Sequence, residues 1–355
     1  MVPAATDVMV SDSLAALRSA RLLICCGVLV ATPADPGAQQ VHRLEPSPAT
    51  VTWGYYEASV RPVLRVRSGD TVVVRSLLGL DPRVVEAAGA EPDPMVAEIY
   101  QRVSKGPGSH MLTGPIFIEE AQPGDVLEVE IQRVELSLPY AYNRFRPGSG
   151  LLPADYPYTV LRIVPLDRER GVARVAPGVE VPLRPFFGSI GVAPPPEVGR
   201  LNSGPPSFHG GNLDNKELTA GSRLFLPVHV PGALVWFGDG HAAQGNGEVN
   251  LTALETALEG TVRLSVRKGP RMRWPRAETA STYITMGLDE DLERATEVAV
   301  REMIDFLVTQ RGLSRDDAYI LCSVAGDLAI TQVVDGTKGV HMSMPKAVFT
   351  GGTKR

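Results

Sequence analysis

The chain is poor in cysteine, poor in aromatic residues and without excess positive charge. It has 3 cysteines in 355 residues, and two of them, Cys25 and Cys26, are adjacent near the start. If that segment is removed, only Cys322 remains. No internal disulfide is then available, and stability must come from a packed core. Aromatics make up 6% and the formal net charge is −5. Both argue against nucleic-acid binding, which favours a basic face and stacking rings. No apolar run approaches the roughly 20 residues that span a bilayer. The longest candidate, Leu22 to Val30, follows Arg18 and Arg21 and precedes the small residues Ala34 and Ala38. This order fits an export signal over residues 1–38, with Met9 as an alternative start. The mature chain, 39–355, is then expected in the periplasm or outside the cell, with no membrane association. Without the signal it would be cytoplasmic.

Glycine and proline are plentiful, at 35 and 30 residues. Both punctuate turns and are costly inside helices, so many short strands and structured loops are expected. Residues 39–140 read as β structure. Two Gly-Asp turns, Ser68-Gly69-Asp70 and Gln122-Pro123-Gly124-Asp125, each lead into a strand. In the second, Leu127, Val129 and Ile131 alternate with Glu128 and Glu130, the period of a half-buried strand. Residues 140–210 read as loops or a lid, because Val192 to Pro196 and Asn202 to Pro206 are dense in proline and glycine. Arg223 to Phe237 is strand-like but broken at Pro227 and Pro231-Gly232, and Glu259 to Val266 alternates again.

One long helix is expected near the C-terminus. Leu292, Ala295, Ala299, Met303, Phe306 and Leu307 recur at steps of three and four. Asp289 is a candidate N-cap, and Gly312 a left-handed C-cap. A short helix follows Ser314, and the apolar stretch Ala318 to Ile330 reads as a return to the sheet. Cys322 lies in that stretch and reads as core. The predicted class is α+β, mainly β.

Three polar clusters can carry chemistry. The densest runs from Gly238 to Glu248. Asp239 and His241 are two apart, so an extended backbone puts both on one side. A carboxylate and an imidazole together can hold a divalent cation, and Glu248 is near enough to be a base or a further ligand. The second cluster holds His209, Gly210, Gly211, Asn212 and Asp214. The third is His110, just ahead of a strand. Each has a plain alternative: a tight loop whose polar groups serve only its own backbone. His229 reads as structural. There is no Gly-x-Ser-x-Gly elbow, so serine or cysteine nucleophilic catalysis is disfavoured.

The stretches HMLTGPIFIEEAQPGDVLEVEI, HGGNLDNKELTAGSRLFLPVHVPGALVWFGDGHAAQGNGEV and YITMGLDEDLERATEVAVREMIDFL stand in this order. They resemble the acetamidase/formamidase family, from about Arg43 to about Pro345. The resemblance implies a jelly-roll-like β-sandwich part and a smaller α+β part. It implies hydrolysis of a small linear amide to carboxylate and ammonia, a bound divalent metal and a homo-oligomer. It singles out His110, Asp214, Asp239 and His241 as metal ligands, with His209 as the next candidate ligand. Glu248 and Asn212 are implied as catalytic, and His209, Gly210 and Gly211 as substrate-binding. Zinc is the expected metal, with calcium and manganese open. The chain departs from the family at Asn246, where Asp is common, in the apolar run Ser76 to Leu80, and in the loops at 83–107 and 140–160. A bulkier or cyclic amide, or a non-catalytic exported binding protein of this fold, are the alternatives.

Overall fold

The computed structural model describes residues 39–269 and 271–350. The segment read as an export signal, Cys25 and Cys26 included, lies outside them. The described chain is α+β with strands in the majority. In one nine-stranded sheet the spatial order is Val41–Leu44, Thr71–Arg75, Leu258–Arg267, Val126–Leu136, Arg223–Pro227, Arg276–Glu278, Thr282–Asp289, Lys338–Pro345 and Asp327–Gln332. A second, eleven-stranded sheet includes Met111–Ile118, Tyr140–Phe145, Phe186–Val192, Gly210–Asn212, Val235–His241 and Glu255–Thr256.

The sheets pack through one core. Leu127, Val129, Ile131, Val262 and Leu264 of the first meet Ile116, Ile118, Phe187, Ile190, Val235 and Phe237 of the second, and all of these are fully buried. Each such side chain contributes about 1.5–3 kcal/mol of transfer free energy. The period-two pattern of Val126–Leu136 therefore points its apolar residues inward. Its Glu128 is nevertheless buried, because Arg267 and Arg223 reach it from the flanking strands. Both Gly-Asp turns form as expected. Gly69 and Gly124 have φ of 97° and 96°. Asp70 accepts the backbone N–H groups of Gln40 and Arg67, each at 2.9 Å, and Asp125 accepts that of Gln122 at 2.8 Å.

Residues 39–140 are not all β. Two helices, α1 (Pro82–Ala87) and α2 (Pro94–Arg102), interrupt them, with Asp81 and Asp93 as N-caps. An Asp-Pro pair suits a helix start, since proline lacks the N–H that the first turn cannot use. Residues 140–210 are not mainly loops or a lid. They form the strands Tyr140–Phe145, Val160–Asp167, Val172–Ala176, Val179–Pro182 and Phe186–Val192. Pro182 is tolerated because its strand is the sheet's edge.

Near the C-terminus, α3 (Leu292–Arg311) forms with its expected face inward, and Gly312 ends it at φ 71°. The N-cap is Asp291, not Asp289. Asp291 accepts the N–H of Arg294, while Asp289 accepts that of Asp291 itself, both at 2.9 Å. The following helix, α4 (Arg315–Ala325), is longer than expected, and the strand resumes only at Asp327. Ala318 and Cys322, four apart, are its buried side, so Cys322 is core in a helix rather than in a strand. α3 packs on the strands Thr282–Asp289 and Lys338–Pro345, and α4 on α3 and on Lys338–Pro345. The backbone of α3 comes so close that a Cβ on Gly287 would lie 1.9 Å from the carbonyl oxygen of Ala295.

Candidate active site

The strand Val235–His241 lies in the second sheet between Phe186–Val192 and Glu255–Thr256. Its last residues carry the site. Asp239 has φ 54°, Asp214 φ 47° and Glu248 φ 45°. Left-handed backbone at a residue other than glycine costs of order 1–3 kcal/mol and persists where the surroundings impose it. Here it aims three carboxylates from three segments at one region. The neighbouring strand makes room: Gly188 stands beside Asp239, and a Cβ there would fall 2.4 Å from Asp239 Oδ2, 2.6 Å from Asp214 Oδ1 and 2.8 Å from His241 Cε1.

His241 is the centre. Its Nδ1 donates to Gln244 Oε1 at 2.9 Å, so that in the neutral ring Nε2 carries the lone pair. That Nε2 lies 3.2 Å from both Asp239 Oδ2 and Glu255 Oε2 but has an aligned hydrogen bond to neither. Ligand atoms of Asp214, His241 and Glu248 lie within 4.8 Å of one another, as do those of Asp239, His241 and Glu255. Asn212 braces the acids. Its Nδ2 donates to Asp214 Oδ2 at 2.8 Å and to Asp335 Oδ2 at 3.1 Å, and its Oδ1 accepts from Ser189 at 2.7 Å. His110 stands further out, with Nε2 3.8 Å from Asp239 Oδ1 and Nδ1 donating to the Ser203 carbonyl at 2.9 Å.

Five carboxyl groups and two imidazoles thus share one poorly solvated region. Burial pushes Asp214 well above the usual carboxylate range, and Glu248, Asp335 and the Asp239 charge add to it. Burial likewise raises Glu248, Glu255 and, to about 6, Asp335, with His241 or His110 only partly opposing. Asp239 goes the other way: burial opposes its charge, but His241 and His110 outweigh it. Burial opposes charge on His241 too, yet Glu255 and Asp239 raise it well above an ordinary histidine. Such an excess of acid is relieved by protons or by a cation. The donor set fits a divalent cation. Two of its atoms, His241 Nε2 and Asp214 Oδ1, are buried without a hydrogen-bond partner, and a Cβ on Gly188 would press on Asp214 Oδ1 and the edge of the His241 ring.

A cavity of ≈ 610 Å³ opens over the cluster. His110, Asn212, Asp239, Glu248, Glu255 and Asp335 line it, with Asp214 and His241 behind them. The other substrate-binding candidates are elsewhere. His209 is buried against Tyr56, their ring centroids 4.9 Å apart, and burial holds its pKa down at about 3. Gly210 and Gly211 form a strand edge with φ of 83° and 82°, and the Gly210 N–H already donates to the Ser207 carbonyl. None of the three lines the cavity. Asn246 is exposed and outside the cluster. His229, read as structural, is not in the strand expected for it: the strand ends at Pro227, and the ring packs edge-on to Phe208.

Sequence reading missed Glu255, Asp335 and Gln244. Glu255 lies in a two-residue strand, too short for any periodicity to mark. Asp335 comes from a turn after the far strand of the other sheet, held by Gln332 Oε1 accepting the Val334 and Asp335 N–H groups. Nothing in its neighbours in the chain marks it as a site residue. Gln244 stood in the polar cluster, and its spacing from His241 was the usable signal. The apolar run Ser76 to Leu80 is also explained, since Leu77 and Leu80 form cavity wall.

The acetamidase/formamidase family model matches residues 55–204 and 200–351. A putative formamidase of Schizosaccharomyces pombe is 31% identical over 45% of this chain and 52% of its own length. An acetamidase of Mycolicibacterium smegmatis is 30% identical over 40% of this chain and 49% of its own. The chain spans about half the length of these curated relatives. A solved acetamidase of Bacillus halodurans superposes with TM-score 0.75 at 30% identity, covering 86% of this chain and 98% of that one. Matched by its family's model from residue 55 to residue 351, this chain belongs to the acetamidase/formamidase family.

Proposed function

We propose that the protein is a cation-dependent amidohydrolase that cleaves a small linear amide to a carboxylate and ammonia. The observation that carries this is the group of four acids, Asp214, Asp239, Glu248 and Glu255, around one partnerless imidazole nitrogen at the floor of an open cavity. The names of its relatives, acetamidase and formamidase, agree with it. In this reading Asp214, Asp239 and His241 hold the cation, with Glu255 and His110 at its margin and Glu248 beside it as the base. Zn²⁺, Mn²⁺ and Ca²⁺ all suit a mixed nitrogen and oxygen set rich in carboxylate. When bound, the cation supplies Lewis acidity to the amide carbonyl.

The chain's own residues supply the rest. Gln244 fixes the His241 ring so that its lone pair faces the acids. Asn212 is fully engaged by Ser189, Asp214 and Asp335, so it positions carboxylates and has no donor left for an oxyanion. Glu248 reaches the cavity wall with a pKa raised by burial, which suits a group that takes a proton from water and returns it to nitrogen. Water adds to the carbonyl carbon, the C–N bond breaks, and the nitrogen leaves as ammonia with that proton. Ammonia release from formamide, acetamide and propionamide, before and after chelation and metal restoration, tests the reading. Turnover that chelation abolishes and metal restores is expected; turnover indifferent to chelation, or none with any amide, overturns it.

A further inference from the structure

The cavity is far larger than formamide or acetamide needs. Its ≈ 610 Å³ lies within the ~300–1,000 Å³ that encloses drug-sized ligands. Its wall also carries cations: Lys105, Arg144 and Arg146 line it, and the wall's one acid, Asp81, is paired with Arg83. Among the described residues none of the three pairs with a carboxylate, whereas Arg43, Arg65, Arg170 and Arg263 each do. Lys105 stands over the Trp53 ring at the margin. Arg144 is the one built into the frame. Its backbone N–H donates to Thr252 Oγ1 at 2.9 Å, and that hydroxyl donates back to the Arg144 carbonyl at 3.1 Å. The neighbouring Asn143 holds the carbonyls of Thr252 and Ala253 at 2.9 and 3.0 Å.

The strand Tyr140–Phe145 sets the distance. Tyr142 is directly opposite Glu255, and both line the cavity. Arg144, two residues further, is on the same face as Tyr142, about 7 Å along the strand. The floor is acidic and the wall at Arg144 is basic, so an anionic end of a ligand is kept off the floor and drawn to the guanidinium. A guanidinium binds a carboxylate through two parallel hydrogen bonds.

We propose that the substrate is a monoamide of a dicarboxylic acid, with its amide at the acidic floor and its carboxylate on Arg144, which is a specificity residue. This rests on the amidohydrolase reading. A purely apolar acyl group would fit against Leu77, Leu80 and Tyr100 but would leave Arg144 without a counter-charge.

The test compares kcat/KM for succinamate and glutaramate with that for butyramide and acetamide on the metal-loaded protein, then repeats it with Arg144→Gln. The charged amides should be preferred by about ten- to a hundred-fold. Arg144→Gln should remove most of that preference through KM, and Arg144→Lys should restore part of it. Equal use of charged and uncharged amides, or a preference that Arg144→Gln leaves intact, overturns the proposal. If no amide at all is cleaved, the amidohydrolase reading falls by itself. Calorimetric titration with glutarate then decides the Arg144 site: saturable binding lost in Arg144→Gln supports it, and no binding overturns it.

Discussion

Replacing Gly188 by alanine is the sharpest perturbation this site offers. Gly188 is not in the left-handed region, so the backbone accepts alanine without strain. Only the methyl matters, and it would stand 2.4 Å from Asp239 Oδ2 and 2.6 Å from Asp214 Oδ1. Contacts under 3.0 Å essentially do not occur for real Cβ atoms, so Asp239 Oδ2 must retreat by at least 3.0 − 2.4 = 0.6 Å. Metal ligands tolerate departures of about ±0.2 Å. The Gly188 carbonyl also accepts the Asp214 N–H at 3.1 Å, so backbone relief would move a second carboxylate. Overpacking alone costs about 1–3 kcal/mol. Outer-shell changes weaken metal binding about 10–100-fold, and a methyl among the ligands should exceed that. The assay is Zn²⁺ affinity by chelator competition, with thermal unfolding followed alongside. Gly245→Ala is the control, with nothing within 4 Å of its Cβ and no left-handed φ. A Gly188→Ala protein that binds the cation as tightly as the parent would refute the reasoning.

Other expectations follow from the same structure. In the chelated protein Asp335, raised from 3.8 to about 6, keeps a proton that the unfolded chain has lost. Unfolding free energy contributed by this group therefore falls as pH rises from about 4 to about 6, by about 3 kcal/mol for roughly two pKa units. Urea denaturation of parent and Asp335→Asn from pH 4 to 8 checks it, and identical slopes would contradict it. Gln244→Leu removes the acceptor of His241 Nδ1 and should weaken the cation about 10–100-fold, with little change in helical or sheet content by circular dichroism. Gly287→Ala drives a Cβ into the carbonyl of Ala295 and 2.5 Å from the amide nitrogen of Ala299. It should cost about 3 kcal/mol or more in urea denaturation; parental stability would show that α3 can move away.

The sequence carried those parts of the fold that repeat or end locally. Leu127, Val129 and Ile131 declared a strand by their spacing, and Ala295, Ala299 and Met303 declared α3, because burial of one face imposes the period. The strands between 140 and 192 were illegible. Pro165 lies inside Val160–Asp167, and Gly188 and Gly191 inside Phe186–Val192, so residues that usually mark turns here interrupt strands that only their neighbours reveal. In the site, Asp239 and His241 were legible because they share one strand. Asp335 and Glu255 were not, because only tertiary packing carries Glu255 to His241 and Asp335 to Asn212. His209 misled for the opposite reason: beside glycines it looked like a presented ligand, yet its ring is buried against Tyr56. Asn212 was found, but its place among Ser189, Asp214 and Asp335 could not be read from its neighbours in the chain.

Anomalous diffraction from crystals grown with Zn²⁺ tests the central claim most directly. The account predicts a strong peak between His241 Nε2 and the carboxylate oxygens of Asp214 and Asp239, with metal–ligand distances of about 2.0–2.2 Å. A cluster that stays free of metal at saturating Zn²⁺, or a peak that lies only on other residues, would contradict it.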